Sequence, residues 1–350
     1  MKKHILIYGA NGYTGELIVA LAVAEGCQPL LAGRSLKKIE PLAGRYKLPF
    51  RIFDLDDTKK IASNIADVAV VLNCAGPFTR TASVIAEACI QEGVHYLDIT
   101  GEVEVFELLA AMGDRARSRG VMLMPGVGFD VVPSDCLAAH LKRRMPDAVS
   151  LTLAFQASGK PSRGTATTMV ENLHRGGLVR RSGRLVAVPS AARVKELDFG
   201  YGQIKTMSIP WGDLSTAWVS TAIPDIEVYM VAPMGLRLLS KASRYLGQVL
   251  ATSWVQDYLK RKIDTGSPGP NEMQRRRGFS RFWGEVRNAA GQSMISRLMT
   301  VEGYELTSKT AWDIAKRAAA GQLRPGFCTP SMLFGPDYIL NFSGSKRVDL

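Results

Sequence analysis

The fold is indicated by one stretch near the start of the sequence, Ile7-Tyr8-Gly9-Ala10-Asn11-Gly12-Tyr13-Thr14-Gly15. It joins an apolar segment to an amphipathic one, and its glycines recur at every third position. In a GxxGxxG loop the glycines permit a tight turn, an approach of the backbone to a pyrophosphate, and close packing of helix on strand. N–H groups at the start of the following helix would bind the phosphates. An ordinary strand–helix turn can carry such glycines, but this position favours a dinucleotide site made of Gly9, Asn11, Gly12, Tyr13, Thr14 and Gly15.

Short apolar segments alternate with longer amphipathic ones as far as Met124. This alternation is typical of βαβ units around a parallel sheet, so the fold class is α/β, a doubly wound Rossmann sheet. We predict its strands at His4–Tyr8, Pro29–Ala32, Phe50–Asp54, Val68–Asn73, His95–Leu97 and Val121–Met124, with helices between them.

The rhythm changes after Met124, and the following region is typical of an α+β domain. Alternating polar and apolar residues predict strands there. We place a flexible link at Asp264–Pro270, and strands at Ser150–Phe155, Lys205–Ile209, Ala217–Thr221, Ile226–Val231, Phe282–Asn288 and Ser293–Thr300.

The end of the second strand bears on the choice between NAD and NADP. NAD enzymes usually place an acidic residue there for the ribose 2′-hydroxyl, but this chain has Ala32-Gly33-Arg34-Ser35 and then Lys38. Arg34 can pair with a 2′-phosphate, and Ser35 can donate a hydrogen bond to it. A solvated basic start of a helix is the alternative interpretation. We therefore expect NADP, held in part by Arg34, Ser35 and Lys38.

Two further strand ends point to the same crevice, because ligands of doubly wound sheets lie outside the carboxyl ends of the strands. Asp54 and Leu55 follow the third strand, where the adenine would lie. Small residues follow the fourth strand and leave room for a ribose: Cys74, Ala75, Gly76 and Pro77. We interpret Cys74 as a small packing residue, since no histidine is near it to activate the thiol.

These motifs resemble the saccharopine dehydrogenase-like NADP-binding oxidoreductases. The similarity rests on the glycine loop and seven later segments. The last three of them look most like the subgroup of trans-acting enoyl reductases, which act on carrier-bound chains. The segments are Ala32–Arg34, Asn73–Phe78, Tyr96–Glu102, Pro125–Asp130 and, near the C-terminus, Trp283–Val286 with Glu302–Thr307 and Thr329-Pro330.

The resemblance implies an α+β second domain inserted after the sixth strand. The Rossmann domain would then comprise residues 1–133, the second domain residues 134–321, and the C-terminal segment 322–350 would return to the first. The resemblance also implies hydride transfer from NADPH, with the nicotinamide near the 98–102 and 126–130 loops. Backbone at Gly126 and Gly128 would allow close approach to the nicotinamide amide.

A hydride-transfer site needs a proton donor, and the candidates are Asp98, Glu102 and Asp130. A buried carboxyl group with a raised pKa could serve. The alternative is that Asp98 or Thr100 caps the next helix, with Glu102 in its first turn. Two weaker candidates are His174 and Tyr201, the latter flanked by Gly200 and Gly202.

Composition excludes several classes. The chain has 350 residues, a net charge of +12 and 46% hydrophobic residues, which excludes a disordered protein. No apolar run reaches the ~18 residues of a membrane span, and the one after Met1-Lys2-Lys3 is too short for a signal peptide. Five scattered cysteines predict free thiols in the cytoplasm, and four distant histidines predict no metal site.

Most of the net positive charge, +8 of the +12, lies between Met234 and Met299, which contain 12 Lys and Arg and 4 Asp and Glu. Residues 234–262 show the periodicity of a basic amphipathic helix. Such a helix can lie on an anionic membrane surface or bind an acidic protein. It can equally pack in a domain core or in the interface of the homodimer that we expect. No nucleic-acid-binding module is recognised.

The sequence thus predicts an NADPH-dependent oxidoreductase of a small-molecule or acyl-carrier-linked substrate, such as an enoyl thioester. Two alternatives stay open. One is an amino-acid-forming dehydrogenase of the saccharopine type, whose dicarboxylate substrate would demand convergent arginines. The other is a non-catalytic NADP sensor or scaffold.

Overall fold

The computed structural model of this protein describes residues 4–172, 176–191, 193–232, 235 and 252–350. The chain divides into two compact units. The first comprises residues 1–132 and 304–333, and the second comprises residues 133–303 and 334–350.

Strands and helices are numbered here along the chain. The strands are β1 (His4–Tyr8), β2 (Leu30–Gly33), β3 (Phe50–Ile52), β4 (Val68–Asn73), β5 (His95–Asp98), β6 (Met122–Met124), β7 (Ala148–Ala157), β8 (Gly177–Arg181), β9 (Arg184–Val188), β10 (Val194–Asp198), β11 (Gln203–Ser208), β12 (Asp225–Val231), β13 (Phe279–Asn288), β14 (Ser293–Val301), β15 (Gly326–Phe327) and β16 (Lys346–Asp349).

The described helices are α1 (Tyr13–Ala24), α2 (Leu36–Tyr46), α3 (Thr58–Ile65), α4 (Phe78–Glu92), α5 (Val103–Ala111), α6 (Gly113–Ser118), α7 (Val132–Arg144), α8 (Arg163–Asn172), α9 (Asp213–Thr221), α10 (Ser253–Asp264), α11 (Glu272–Arg277), α12 (Gly303–Ala319) and α13 (Pro330–Phe334). A 3₁₀ turn covers Tyr338–Asn341.

The first unit is built on a parallel sheet of seven strands in the order β15-β6-β5-β4-β1-β2-β3. This is the doubly wound Rossmann order, in which the strand order reverses between β1 and β4. The strands are apolar because helices cover both faces of a parallel sheet: Leu6, Ile7, Val71 and Leu72 are at most 1% exposed. The predicted fold class is confirmed.

The second unit contains a mixed sheet that runs β10-β11-β12-β7-β13-β14-β16, with the β8–β9 hairpin beside β12. On one face of this sheet, Leu137 and Leu141 of α7 pack so closely on Gly284 that a Cβ there would lie 2.6 Å from Leu141. A small cluster of Ala154, Leu197, Phe199, Tyr229 and Trp283 is also buried in this unit.

Two details differ from the sequence-based expectation. Residues Ala217–Thr221, predicted as a strand, belong to helix α9, because the buried Leu214, Ala217 and Thr221 follow helical spacing and override the β-branched composition. The C-terminal segment 322–350 does not return as a whole to the Rossmann sheet. Its β15 pairs with β6, whereas β16 pairs with β14 of the second sheet.

The predicted basic helix at 234–262 lies largely outside the described residues, since of its first 18 residues only Gly235 is described. Its end is seen as α10, which starts at Ser253. His174 is also outside the described part of the chain. Among the described residues, no helix combines the length and the apolar content that crossing a bilayer needs.

Candidate functional site

The glycine loop between β1 and α1 forms a compact turn. Gly9 has a φ of +76°, and its N–H donates to the Ala32 carbonyl oxygen at 2.8 Å. A Cβ at Gly9 would lie 2.8 Å from Ala75, and one at Gly15 would lie 2.6 Å from the Gly9 carbonyl oxygen. Side chains at either position would therefore push the turn away from the neighbouring strand or helix.

Gly12 occupies a different place in the same loop. It is the N-cap of α1 and offers no side chain to the first N–H groups of the helix. A Cβ there would meet nothing closer than the Gly9 carbonyl oxygen, at 3.3 Å. The first N–H groups of α1 can thus donate hydrogen bonds, and Gly12 leaves space next to them. This arrangement fits the pyrophosphate of a dinucleotide.

The end of β2 presents cationic and hydroxyl groups. Arg34 is exposed and makes no hydrogen bond or ion pair with any described residue. Ser35 is the N-cap of α2 but makes no side-chain capping hydrogen bond. The first turn of α2 carries no acidic residue, and Lys38 in it is exposed. This set fits a ribose 2′-phosphate, as the sequence predicted.

The residues that follow β3 take two different environments. Asp54 is exposed, whereas Leu55 is half-buried and packs against the core of the first unit. The Tyr8 hydroxyl donates to the Phe53 carbonyl oxygen at 3.1 Å, and their ring centroids lie 5.1 Å apart. The predicted contact of Asp54 and Leu55 with adenine stays a prediction.

A hydrogen-bond network fixes the loop after β4. The buried Asn73 accepts a hydrogen bond from the Ala75 N–H at 3.0 Å and donates to Thr81 Oγ1 at 3.1 Å. The Thr81 hydroxyl in turn donates to the Ala75 carbonyl oxygen at 2.7 Å. Burial raises the pKa of the Cys74 thiol, so this side chain is not a thiolate near neutral pH. The loop of Cys74, Ala75, Gly76 and Pro77 is therefore held rigidly beside Gly9.

Asp98, at the end of β5, is fully buried. Its carboxylate accepts hydrogen bonds from the N–H groups of Thr100 (3.0 Å) and Gly126 (2.9 Å) and from the Tyr96 hydroxyl (2.8 Å). Burial raises the pKa of Asp98 to about 6, although these hydrogen bonds act in the opposite direction. The arrangement ties the end of β5 to the loop after β6, and it favours a positioning role over the predicted proton-donor role.

The Glu102 side chain caps helix α4, whereas the alternative interpretation of the sequence placed Glu102 in the first turn of the helix that follows it. Its side-chain oxygens accept hydrogen bonds from the N–H groups of Phe78 (3.1 Å) and Thr79 (3.0 Å), at the start of α4. Pro77, the N-cap of α4, provides no side-chain cap, so Glu102 supplies the missing acceptor across 24 residues of sequence. This contact favours a structural role for Glu102 over proton donation.

The loop after β6 uses its glycines to pack against protein. A Cβ at Gly126, which has a φ of +71°, would lie 2.5 Å from Val131 Cγ2. A Cβ at Gly128 would lie 2.7 Å from Thr307 Cγ2. The Gly126 N–H is already bonded to Asp98. The side on which a Cβ would lie is thus filled by protein at Gly126 and at Gly128. The predicted approach of their backbone to the nicotinamide stays a prediction.

Asp130 lies at the end of this loop and is partly exposed. A Cβ at Gly101 would lie 2.9 Å from Asp130 Oδ2, so the carboxyl group sits directly against the Gly101 backbone. Although the residue as a whole is partly exposed, its carboxyl group is shielded from water by the protein, and this desolvation, followed by the charge of Glu102, raises the pKa of Asp130 to about 7. Of the three predicted acids, Asp130 has the environment that best suits a proton donor.

Sequence reasoning missed the part that α12 plays here. The Phe129 N–H donates to Thr307 Oγ1 at 3.0 Å, and the Thr310 hydroxyl donates to the Val127 carbonyl oxygen at 2.8 Å. Tyr304 makes an edge-to-face contact with Tyr13 of the glycine loop, at 5.0 Å between ring centroids. The available signal was the Glu302–Thr307 motif, although nothing in it indicates which loops it contacts.

Within the described part of the chain, no group of three His, Cys, Asp or Glu side chains could hold a metal ion. The site is thus a set of backbone donors, cations and carboxyl groups along the carboxyl edge of one parallel sheet.

Comparisons with known proteins agree with this geometry. The saccharopine dehydrogenase NADP-binding domain matches residues 5–124. A saccharopine dehydrogenase-like oxidoreductase of Homo sapiens is 25% identical over 172 residues, which cover 43% of this chain and 40% of that protein. A trans-acting enoyl reductase of Mycobacterium leprae is 32% identical over 149 residues, which cover 40% of this chain and 36% of that protein.

These matches span about two fifths of the length of the curated relatives. In contrast, the structure of apo saccharopine dehydrogenase (L-Glu forming) from Saccharomyces cerevisiae covers 99% of this chain and 100% of its own, with a TM-score of 0.67 and 13% identity. That likeness shows the fold alone. Residues 5–124 thus match an NADP-binding domain of the saccharopine dehydrogenase type, and the chain is similar over part of its length to saccharopine dehydrogenase-like oxidoreductases.

Proposed function

We propose that this protein is an NADPH-dependent reductase of a bulky substrate linked to a lipid or a carrier, such as an enoyl thioester, with Asp130 as the proton donor. The observation that carries the proposal is the position and the raised pKa, about 7, of Asp130 at the carboxyl edge of the NADP-binding sheet.

The residues that would hold the cofactor follow from the geometry above. The uncapped start of α1 and the bare backbone at Gly12 fit the pyrophosphate. Arg34, which pairs with none of the described residues, and Ser35, whose side chain does not cap α2, fit the 2′-phosphate. When bound, NADPH supplies a hydride to the substrate.

Reduction of an enoyl thioester requires one hydride and one proton, and the proton ends on the carbon next to the thioester carbonyl. Asp130 can hold this proton, because a carboxylic acid with a pKa near 7 is about half protonated at neutral pH. Asp98 and Glu102 keep the surrounding backbone in place, through Gly126 and through Phe78 with Thr79 respectively.

The proposed substrate class rests on sequence similarity to a known enzyme. The trans-acting enoyl reductase of Mycobacterium leprae is 32% identical to part of this chain, a region that covers 40% of it.

The two alternatives make different demands. An amino-acid-forming dehydrogenase would turn over glutamate with a semialdehyde, and a sensor would bind NADPH without any turnover.

The test is NADPH oxidation by the full chain with short and long trans-2-enoyl thioesters. We expect turnover that falls as pH rises through about 7, because the donor Asp130 must be protonated. Asp130→Asn should lower kcat by about 100-fold or more and remove that pH dependence. Asp114→Asn, at an exposed carboxylate of α6, is the matched control and should leave kcat unchanged.

Turnover of glutamate with a semialdehyde, but not of any enoyl thioester, would replace this proposal by the first alternative. NADPH binding without turnover of either substrate would favour the sensor.

A further inference from the structure

Arg281 of β13 lies against two aromatic rings in the second unit. Its guanidinium carbon is 4.2 Å from the ring centroid of Tyr201 and 4.3 Å from that of Phe279. Such contacts are favourable electrostatically and restrict the planar group to a narrow set of orientations. The side chain is nevertheless only half-buried, so its N–H groups are accessible to a ligand.

Tyr201 is itself held firmly above the sheet. It sits in the turn between β10 and β11, where Asp198 Oδ1 accepts hydrogen bonds from the N–H groups of Gly200, Tyr201 and Gly202. Arg297 donates to Asp198 Oδ2 at 2.8 Å and to its carbonyl oxygen at 2.7 Å. The Tyr201 hydroxyl donates to Gln156, which lies directly opposite Arg281 across the β7–β13 pair.

Several arginines of the second unit, unlike Arg281, have carboxylate partners. Arg181 and Arg193 pair with the buried Glu227, Arg297 pairs with Asp198, and Arg287, on the same face of β13, pairs with Glu285 at 2.6 Å. Arg281 makes no hydrogen bond or ion pair with any residue that the structure describes. Among the described residues, this preoriented guanidinium thus has no anionic partner.

The local charge favours an anionic ligand. The segment from Asn271 to Arg281 contains four arginines and one acid, Glu272. That glutamate already pairs with Arg276, at 2.6 Å. Excess positive charge of this kind raises the local concentration of anions.

We propose that Arg281, backed by Tyr201 and Phe279, binds an oxyanion, the carboxylate or phosphate group of an extended ligand. Both groups match the guanidinium fork, which can donate two parallel N–H bonds to them. A dicarboxylate and a phosphopantetheine-type molecule are the two sources of this chemistry. The site does not depend on the proposed reaction, because Arg281, Tyr201 and Phe279 all belong to the second unit.

The experiment measures binding to the full chain saturated with NADP⁺, so that the phosphate sites of the cofactor are filled. Glutarate, inorganic phosphate and coenzyme A are the probes, followed by calorimetry or ligand-observed NMR. We expect at least one probe to bind, and Arg281→Gln to weaken it about tenfold, the loss of one charge-assisted pair. Binding of glutarate alone indicates a carboxylate ligand, and binding of phosphate or coenzyme A alone a phosphate ligand.

Arg287→Gln is the matched control, since it removes the same charge from the same face of the same strand but from an arginine that already has a partner. It should leave probe binding unchanged. An equal loss in both variants, or no loss in Arg281→Gln, would overturn the proposal, as would the absence of binding by all three probes. Unchanged NADPH affinity of each variant verifies that it is folded.

Discussion

Two glycine-rich loops leave the carboxyl edge of the same parallel sheet, and the surroundings of Gly12 in one differ from those of Gly126 in the other. At Gly12, in the loop after β1, a Cβ would meet only one carbonyl oxygen within 3.3 Å, beside an uncapped helix start. At Gly126, in the loop after β6, it would lie 2.5 Å from a valine side chain. Glycine allows a close approach in both places, but a ligand can be approached only where the protein leaves the space free.

The largest expected effect is on stability. Gly126→Ala should lower the free energy of unfolding by about 3 kcal/mol, because the new methyl group meets Val131 and the backbone must keep a positive φ. Urea unfolding measures this loss. The NADPH affinity of the remaining folded protein should change little.

Gly93→Ala is the control for the backbone contribution. Gly93 also has a positive φ, +64°, but no atom lies within 4 Å of its Cβ position. We expect it to cost only about 1 kcal/mol. If Gly126→Ala proved as mild as this control but weakened NADPH binding, the loop after β6 would face the cofactor after all, and the contrast between the loops would fail.

The reverse pattern is expected for Gly12→Ala. The φ of Gly12 is −76°, which alanine adopts readily, so the stability should fall by less than about 1 kcal/mol. NADPH affinity should fall at least about tenfold, because the methyl group occupies the position that the pyrophosphate must approach. Fluorescence titration with NADPH gives the affinity. A stable variant with unchanged NADPH affinity would show that the pyrophosphate does not bind at this loop.

A smaller and more selective effect is expected at the end of β2. Arg34→Ala should weaken NADPH binding by about tenfold and leave NADH binding nearly unchanged, because only NADPH carries the 2′-phosphate. Titrations of both cofactors measure the selectivity. Arg45 is an exposed arginine in the last turn of α2, the helix that follows Arg34. Arg45→Ala is the control and should affect the binding of neither cofactor. Equal losses for both cofactors would show that Arg34 does not distinguish them.

The three carboxyl groups show why the candidate site was only partly predictable. Asp98, Glu102 and Asp130 are chemically similar in the sequence, and each could donate a proton or cap a helix. Their environments separate them: Asp98 accepts three hydrogen bonds, Glu102 is bonded to the start of α4, and Asp130 sits against Gly101. These differences depend on contacts between segments that are distant in the chain.

The open glycine loop, the βαβ order and the residues at the end of β2 were all readable from the sequence by itself, because each depends on neighbours along the chain: a turn, a helix start and an alternation of apolar segments. The tertiary structure alone decided which side chains pack against the glycines of the loop after β6 and which aromatic rings flank Arg281. Thr307 accepts a hydrogen bond from Phe129 of the loop after β6, 178 residues away in the chain. Arg281 contacts Tyr201 only because the turn between β10 and β11 lies next to β13. Packing between remote segments is set by the whole fold, so no local pattern could have specified it.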